Sequence, residues 1–125
     1  MDYVTLDEVL QRLDTLKPNN YSRGEKVAWL NALDGKIYSL SVLTHEAGGE
    51  AFSPYGVEEG NRTMLVPEPY GTELYLAWLE SQVDYYDGDT VRYNNAMDRF
   101  MTLHREFSRW YHRTHKPLGR DRKYR

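Results

Sequence analysis

Cysteine is absent from the chain, which excludes disulfides, thiolate zinc sites and cysteine nucleophiles. Long apolar runs are absent too, since no stretch approaches the roughly 20 apolar residues that a membrane-spanning helix needs. Phenylalanine is scarce, with three residues against eleven tyrosines and three tryptophans. The sequence contains no Gly-rich phosphate loop, HExxH, GxSxG or EF-hand pattern. Its opening, MDYVTLDEVLQRLDTLKPNN, is acidic and periodic and lacks the apolar core of a secretory leader. The expectation is an intracellular or cell-made assembly protein.

What is present suits one domain. The 125 residues amount to 14.8 kDa, a size that buries about two thirds of the extended chain's surface. A content of 40% hydrophobic and 28% charged residues is that of a folded globule and not of a disordered tail. The tyrosine excess leaves two readings open. Aromatics with a polar tip suit protein–protein contacts, and they equally suit the rim of a thin helical bundle.

Helical periodicity accounts for most of the chain. Thr5 and Glu8 form a capping box, followed by Leu6, Val9, Leu10, Leu13 and Leu16 at helical spacing. Lys17-Pro18-Asn19-Asn20 ends that helix, because a residue preceding proline disfavours the helical region. A second capping box, Ser22 with Glu25, opens a helix that Val27, Leu30, Leu33, Ile37, Tyr38 and Leu40 carry to about His45. Gly35 weakens it and marks a kink or a close contact. Residues 46–71 hold five glycines and three prolines, so no helix persists there, although Thr63-Met64-Leu65-Val66 suits a short extended segment. A connection this long reads as a functional projection. A third helix is expected from about Thr72 to Asp87, closed by Gly88. A fourth, capped by Asp89 or Thr90, reaches about His115 with Tyr93, Ala96, Met97, Phe100, Leu103, Phe107, Trp110 and Tyr111 on its apolar face. The expected fold is all-α: a bundle of about four helices over residues 1–115, a long loop between the second and third helices, and a basic tail over 116–125.

Charge is segregated along this framework. Residues 1–45 carry six acids and five bases, residues 46–89 ten acids and one base, and residues 90–125 three acids and ten bases. Three explanations compete. The acidic arc of the third helix (Glu73, Glu80, Asp84, Asp87) pairs with the arginines of the fourth within one molecule. Alternatively, the basic end meets nucleic acid phosphates. Or unlike faces meet between copies, a head-to-tail contact that closes into a ring when its rotation permits. Pairing within the molecule leaves the tail unexplained: Lys116, Arg120, Arg122, Lys123 and Arg125 face a single Asp121.

Chemistry-bearing clusters are weak. His112 and His115 stand three apart with His104 two turns earlier, but a closed zinc site needs four ligands, and histidines near a helix C-terminus also suit its dipole. His45-Glu46 forms an acid–base pair with no nucleophile beside it. Asp84, Asp87 and Asp89 lack the ligand spacing of a calcium loop. The sequence therefore predicts no catalytic residue, metal or cofactor.

The stretches TLDEVLQRLDTLKPNNYSRGEKVAWLNALDGKIY, with its Trp29-Leu30 pair, and YNNAMDRFMTLHREFSRWYHRTHKP resemble the head–tail connector (adaptor or head-completion) proteins of long-tailed bacteriophages. The resemblance covers residues 5–45 and 90–117 and the helix order. It implies a small α-helical virion subunit, made in the host cytoplasm, that forms a homo-oligomeric ring, commonly about twelve-fold, below the portal. Such a ring extends the DNA channel, without sequence-specific binding and without a membrane, and docks a tail-side neck or stopper protein. On this chain it makes Lys116, Arg120, Arg122, Lys123, Tyr124 and Arg125 the portal-contact candidates. The loop 46–71, with Glu46, Glu50, Glu58 and Glu59, becomes the channel or next-ring candidate, since like charge keeps DNA from adhering. The subunit contact is expected between Glu73, Glu80 and Asp84 on one copy and Arg99, Arg105 and Arg109 on the next. Other readings are a different neck or tail-completion protein, a small enzyme or metal protein, and a helix-turn-helix regulator. The last would have only Arg23, Lys26 and Lys36 as bases on its second helix, few for groove recognition.

Overall fold

Local signals set the first two helices. In the computed structural model, which describes residues 2–42, 44–45 and 51–118, helix α1 (Leu6–Leu16) starts at the Thr5–Glu8 capping box. Helix α2 (Arg23–Ile37) starts at the Ser22–Glu25 box. In each box the hydroxyl and the carboxylate satisfy one another's backbone N–H, which fixes where the helix begins. Between them, Lys26 is buried and its Nζ lies 2.8 Å from Asp14, and Arg23 reaches Asp7 at 2.7 Å.

Helix α2 passes through Gly35 without the expected close contact, since no described atom lies within 4 Å of where a Cβ would sit. Gly35→Ala is therefore expected to raise stability by about 0.4–1 kcal/mol by restricting the unfolded chain. A urea or thermal melt reads this directly, and a loss of stability would contradict it. The helix stops earlier than its periodicity suggests. From Tyr38 to Val42 the backbone makes one π-helical turn. One extra residue in a turn rotates the succeeding side chains by about 100°. Leu40, placed by periodicity on the buried stripe, is 73% exposed, while Ser41 and Val42 turn inward.

The long connection does not project over its described part. Tyr55, Met64 and Val66 are buried in the core, and Phe52 packs against it. The extended segment anticipated at residues 63–66 is strand β2 (Thr63–Pro67), which pairs antiparallel with β1 (Tyr3–Thr5) through an irregular register, Tyr3 opposite Pro67 and Thr5 opposite Thr63. This small sheet is an addition to the expected all-α plan. A three-residue strand carries too little periodicity to be seen in sequence.

Helix α3 (Gly71–Asp87) is the central element, lying against α1, α2, both strands and helix α4 (Thr90–Thr114). Its Leu74, Tyr75, Ala77, Leu79 and Ser81 are fully enclosed. Gly71 admits no side chain, because a Cβ there would collide with the Val66 carbonyl oxygen. Gly88 adopts φ 77°, the left-handed helix stop, and Asp89 then caps α4 by accepting from the Arg92 N–H at 3.1 Å. Ala96, Phe100, Phe107 and Tyr111 of α4 are buried, as its apolar face requires. Over the described residues the protein is thus a small four-helix domain with a long α2–α3 connection and one short two-stranded sheet.

Helix α4, 25 residues long, outruns the 17-residue α3 by about 12 Å. Its far end packs Tyr111 against His45, and beyond it Lys116–Leu118 do not leave the body. Leu118 N–H donates to the Thr44 carbonyl at 2.7 Å, and Pro117 bridges to His45. No helix among the described residues is long and apolar enough to cross a membrane.

Candidate subunit-contact surfaces

The acidic arc anticipated on α3 is largely satisfied within the molecule. Glu80 lies 2.7 Å from Arg99 of α4. Asp84 is 3% exposed and lies 2.7 Å from Lys17 Nζ. This corrects Asp84 as a contact residue, because a carboxylate already desolvated and paired offers nothing to a neighbour. Asp84 shares its arc of the helical wheel with Glu73 and Glu80, but it lies near the C-terminal end of α3, where Lys17 of the α1–α2 turn covers that arc. Glu73 alone of the three acids is exposed without an ion pair among the described residues.

The basic face of α4 fares differently. Arg99 is engaged with Glu80, and Arg92 reaches Asp89 at 3.5 Å. Arg105, Arg109 and Arg113 are exposed and have no ion-pair partner among the described residues, as is Lys116 beyond them. Glu106 is the one acid interleaved with them. Arg105, Arg109, Met101 and the half-buried His104 line an open groove of about 340 Å³ along α4, where desolvation lowers the His104 pKa.

In the long connection, Glu58 is exposed, and so is Glu59, whose carboxylate accepts the Gly56 N–H at 2.6 Å and sits 3.3 Å from Arg62. That backbone donor holds the Glu59 pKa below the ordinary value. Arg62 also donates to the carbonyls of Ser53 and Pro54 and stacks 4.6 Å from the centre of the Tyr55 ring. Glu59 thus pins its own loop. Glu46 and Glu50 lie outside the described residues, as do Arg120, Arg122, Lys123, Tyr124 and Arg125.

Two groupings escaped sequence reasoning. The first is a partly exposed aromatic platform at the α3–α4 turn. Trp29 and Tyr86 stack 5.5 Å apart and 7° from parallel, Tyr21 meets Trp29 edge-on at 5.3 Å, Tyr85 stands perpendicular to Tyr86 at 5.0 Å, and Tyr93 lies 5.7 Å from Tyr85. Tyr85 and Tyr86, assigned by periodicity to the apolar spread of α3, are 60% and 58% exposed. Tyr21 donates its hydroxyl to Asp87 at 2.7 Å, and that carboxylate raises the phenol pKa to about 12. The excess of tyrosine over phenylalanine was the signal.

The second is a buried polar knot. Asp34 of α2 is fully enclosed and accepts hydrogen bonds from the hydroxyls of Tyr55 and Tyr75, the latter at 2.8 and 2.9 Å. Those hydroxyls accept in turn from the β2 backbone: Leu65 N–H to Tyr55 and Val66 N–H to Tyr75, both at 2.9 Å. One turn before Asp34, Asn31 accepts the Tyr55 N–H at 2.7 Å and donates to its carbonyl at 3.0 Å. Burial pushes the Asp34 pKa up to about 6, against the two tyrosine donors. Burial and then the carboxylate raise both phenols, so they stay protonated donors. With every group paired and the carboxylate closed off, the knot fastens the long connection to α2 and α3.

The histidines do not converge. His112 stacks on His45 at 4.6 Å, and His115 stacks on Tyr111 at 3.9 Å. Among the described residues no group of three or more histidine or acidic side chains is placed to hold a metal ion. No family model, curated protein or solved structure matches this chain.

Proposed function

We propose that the chain is a structural virion subunit, a head–tail connector that assembles into a ring below the portal, extends the DNA channel and docks a tail-side neck protein. The observation that carries this reading is that the folded chain leaves charge unneutralised at one end. Arg105, Arg109 and Arg113 stay exposed and unpaired among the described residues although the chain as a whole is acidic. A subunit with unlike, complementary surfaces joins its copies head to tail, which is the geometry of rings. The likeness of residues 5–45 and 90–117 to connector proteins supplies the setting.

In this reading the basic end from Lys116 onward docks on the portal. The acidic connection, with exposed Glu58 and Glu59, faces the channel, where like charge lets DNA slide past. The helix-turn-helix reading draws less support, since Arg23 and Lys26 are engaged with Asp7 and Asp14.

Electron microscopy of virus particles carrying this chain with a tag at its N-terminus tests the proposal. The expected result is a ring of tags between portal and tail. Mature particles without the chain would overturn it.

A further inference from the structure

The arginine face of α4 is free to meet an acidic surface, and two of the acids expected to serve, Glu80 and Asp84, are taken by Arg99 and Lys17. The aromatic platform at the opposite end of the same helix has the right chemistry. Glu25, Asp87 and Asp89 surround it, against Arg92, and Lys17 neutralises Asp84. Tyr85 and Tyr93 open onto a shallow cavity of about 300 Å³ bounded by Gly88, Asp89 and Asn94. Guanidinium groups stack on Tyr and Trp faces and hydrogen-bond carboxylates in the plane of the same group. Mutually ordered tyrosine and tryptophan rings, here with Tyr85 and Tyr86 exposed and Tyr21, Trp29 and Tyr93 half-buried, are what interface hot spots are made of. Phosphate-bearing partners, by contrast, would be repelled by the acidic rim.

We infer that this platform (Tyr21, Trp29, Tyr85, Tyr86 and Tyr93) is the docking surface for the Arg105–Arg109–Arg113 face of a second copy of the chain. The two surfaces are about 24 Å apart along α4, measured from Tyr93 to Arg109. One molecule therefore cannot close the contact on itself. A pair of copies joined through one platform and one arginine face keeps one of each surface free, so further copies add until the chain of subunits closes. The inference deepens the ring reading by naming its contact, and it depends on that reading only in taking the partner to be another copy.

The absence of cysteine makes the test clean. Asn94→Cys marks the platform edge, Ser108→Cys marks the arginine face, and Thr15→Cys on the exposed side of α1 serves as control. Equal mixtures of two single-cysteine proteins are treated with a short bis-maleimide at low salt. The N94C/S108C mixture is expected to yield about tenfold more dimer than either protein alone or paired with the control. High salt should reduce that yield. So should Tyr85→Ser with Tyr86→Ser in the N94C partner, or Arg105→Glu in the S108C partner, each checked for unchanged circular dichroism. The inference is overturned if the mixture gives no more dimer than the controls, if N94C couples to itself as well as to S108C, or if the substitutions leave the yield unchanged. A positive result with a protein found outside virus particles would keep this contact and remove the connector reading. A virion ring whose two positions do not couple would keep that reading and overturn this contact.

Discussion

Asp34→Asn is expected to abolish a pH dependence of stability that the native chain shows on the acid side. In the folded protein the Asp34 pKa is about 6, against 3.8 for the ordinary group. Between those values the native state therefore holds a proton that the unfolded chain has released. Stability from this group is full below about pH 4 and falls as pH rises through about pH 6, a total of about 3 kcal/mol. Glu8 and Glu59 act in the opposite sense. Their carboxylates are held low by the backbone N–H groups of Thr5 and Gly56, so their contribution is lost as pH falls. The difference between the native chain and the Asp34→Asn variant in urea unfolding across this range isolates the buried group. Parallel curves would contradict the assignment. Asp34→Ala, which leaves two buried hydroxyls without an acceptor and opens a void, should cost about 2–5 kcal/mol at any pH in that range.

The second large effect is expected at Lys17. Its ammonium is the ion-pair partner of Asp84, at 2.7 Å, and the two side chains are 19% and 5% exposed. Lys17→Met strands a buried carboxylate and should lower the unfolding free energy by about 3 kcal/mol. Replacing both partners, Lys17→Met with Asp84→Leu, should recover most of the loss, because an apolar pair of similar volume does not need the missing charge. A denaturant titration of the three proteins gives the comparison. A Lys17→Met protein as stable as the native chain would mean that Asp84 is not confined to this intramolecular role.

The features that were legible in the sequence are those fixed by near neighbours. Both capping boxes span four residues, Gly88 stops α3 by its own backbone, and α4 repeats its apolar positions long enough for the 3.6-residue period to be unmistakable. What was not legible depends on residues far apart. Asp34 is an ordinary polar position within α2 until Tyr55 and Tyr75, 21 and 41 residues later, close over it. The burial of Tyr55 comes from the same knot, which is why glycines and prolines suggested a projection where residues 51–67 fold back on the body. The π-turn at Tyr38–Val42 displaced Leu40 to the surface, because a single inserted residue is invisible to periodicity. On the candidate surfaces, the charge segregation and the exposure of Arg105 and Arg109 were readable. The capture of Asp84 by Lys17 was not, since it depends on how the α1–α2 turn meets α3. Tyrosine abundance pointed to half-buried rings without saying where they gather.

The central claim is that unlike surfaces of this chain join its copies. Sedimentation of the native chain against Arg105→Glu/Arg109→Glu tests it most directly, because neither arginine has an ion-pair partner among the described residues whose loss would disturb the fold. The account predicts concentration-dependent assembly of the native chain toward a closed ring, and a double variant that stays monomeric with unchanged circular dichroism and melting. A double variant that assembles as the native chain does, or a native chain that remains monomeric throughout, would contradict it.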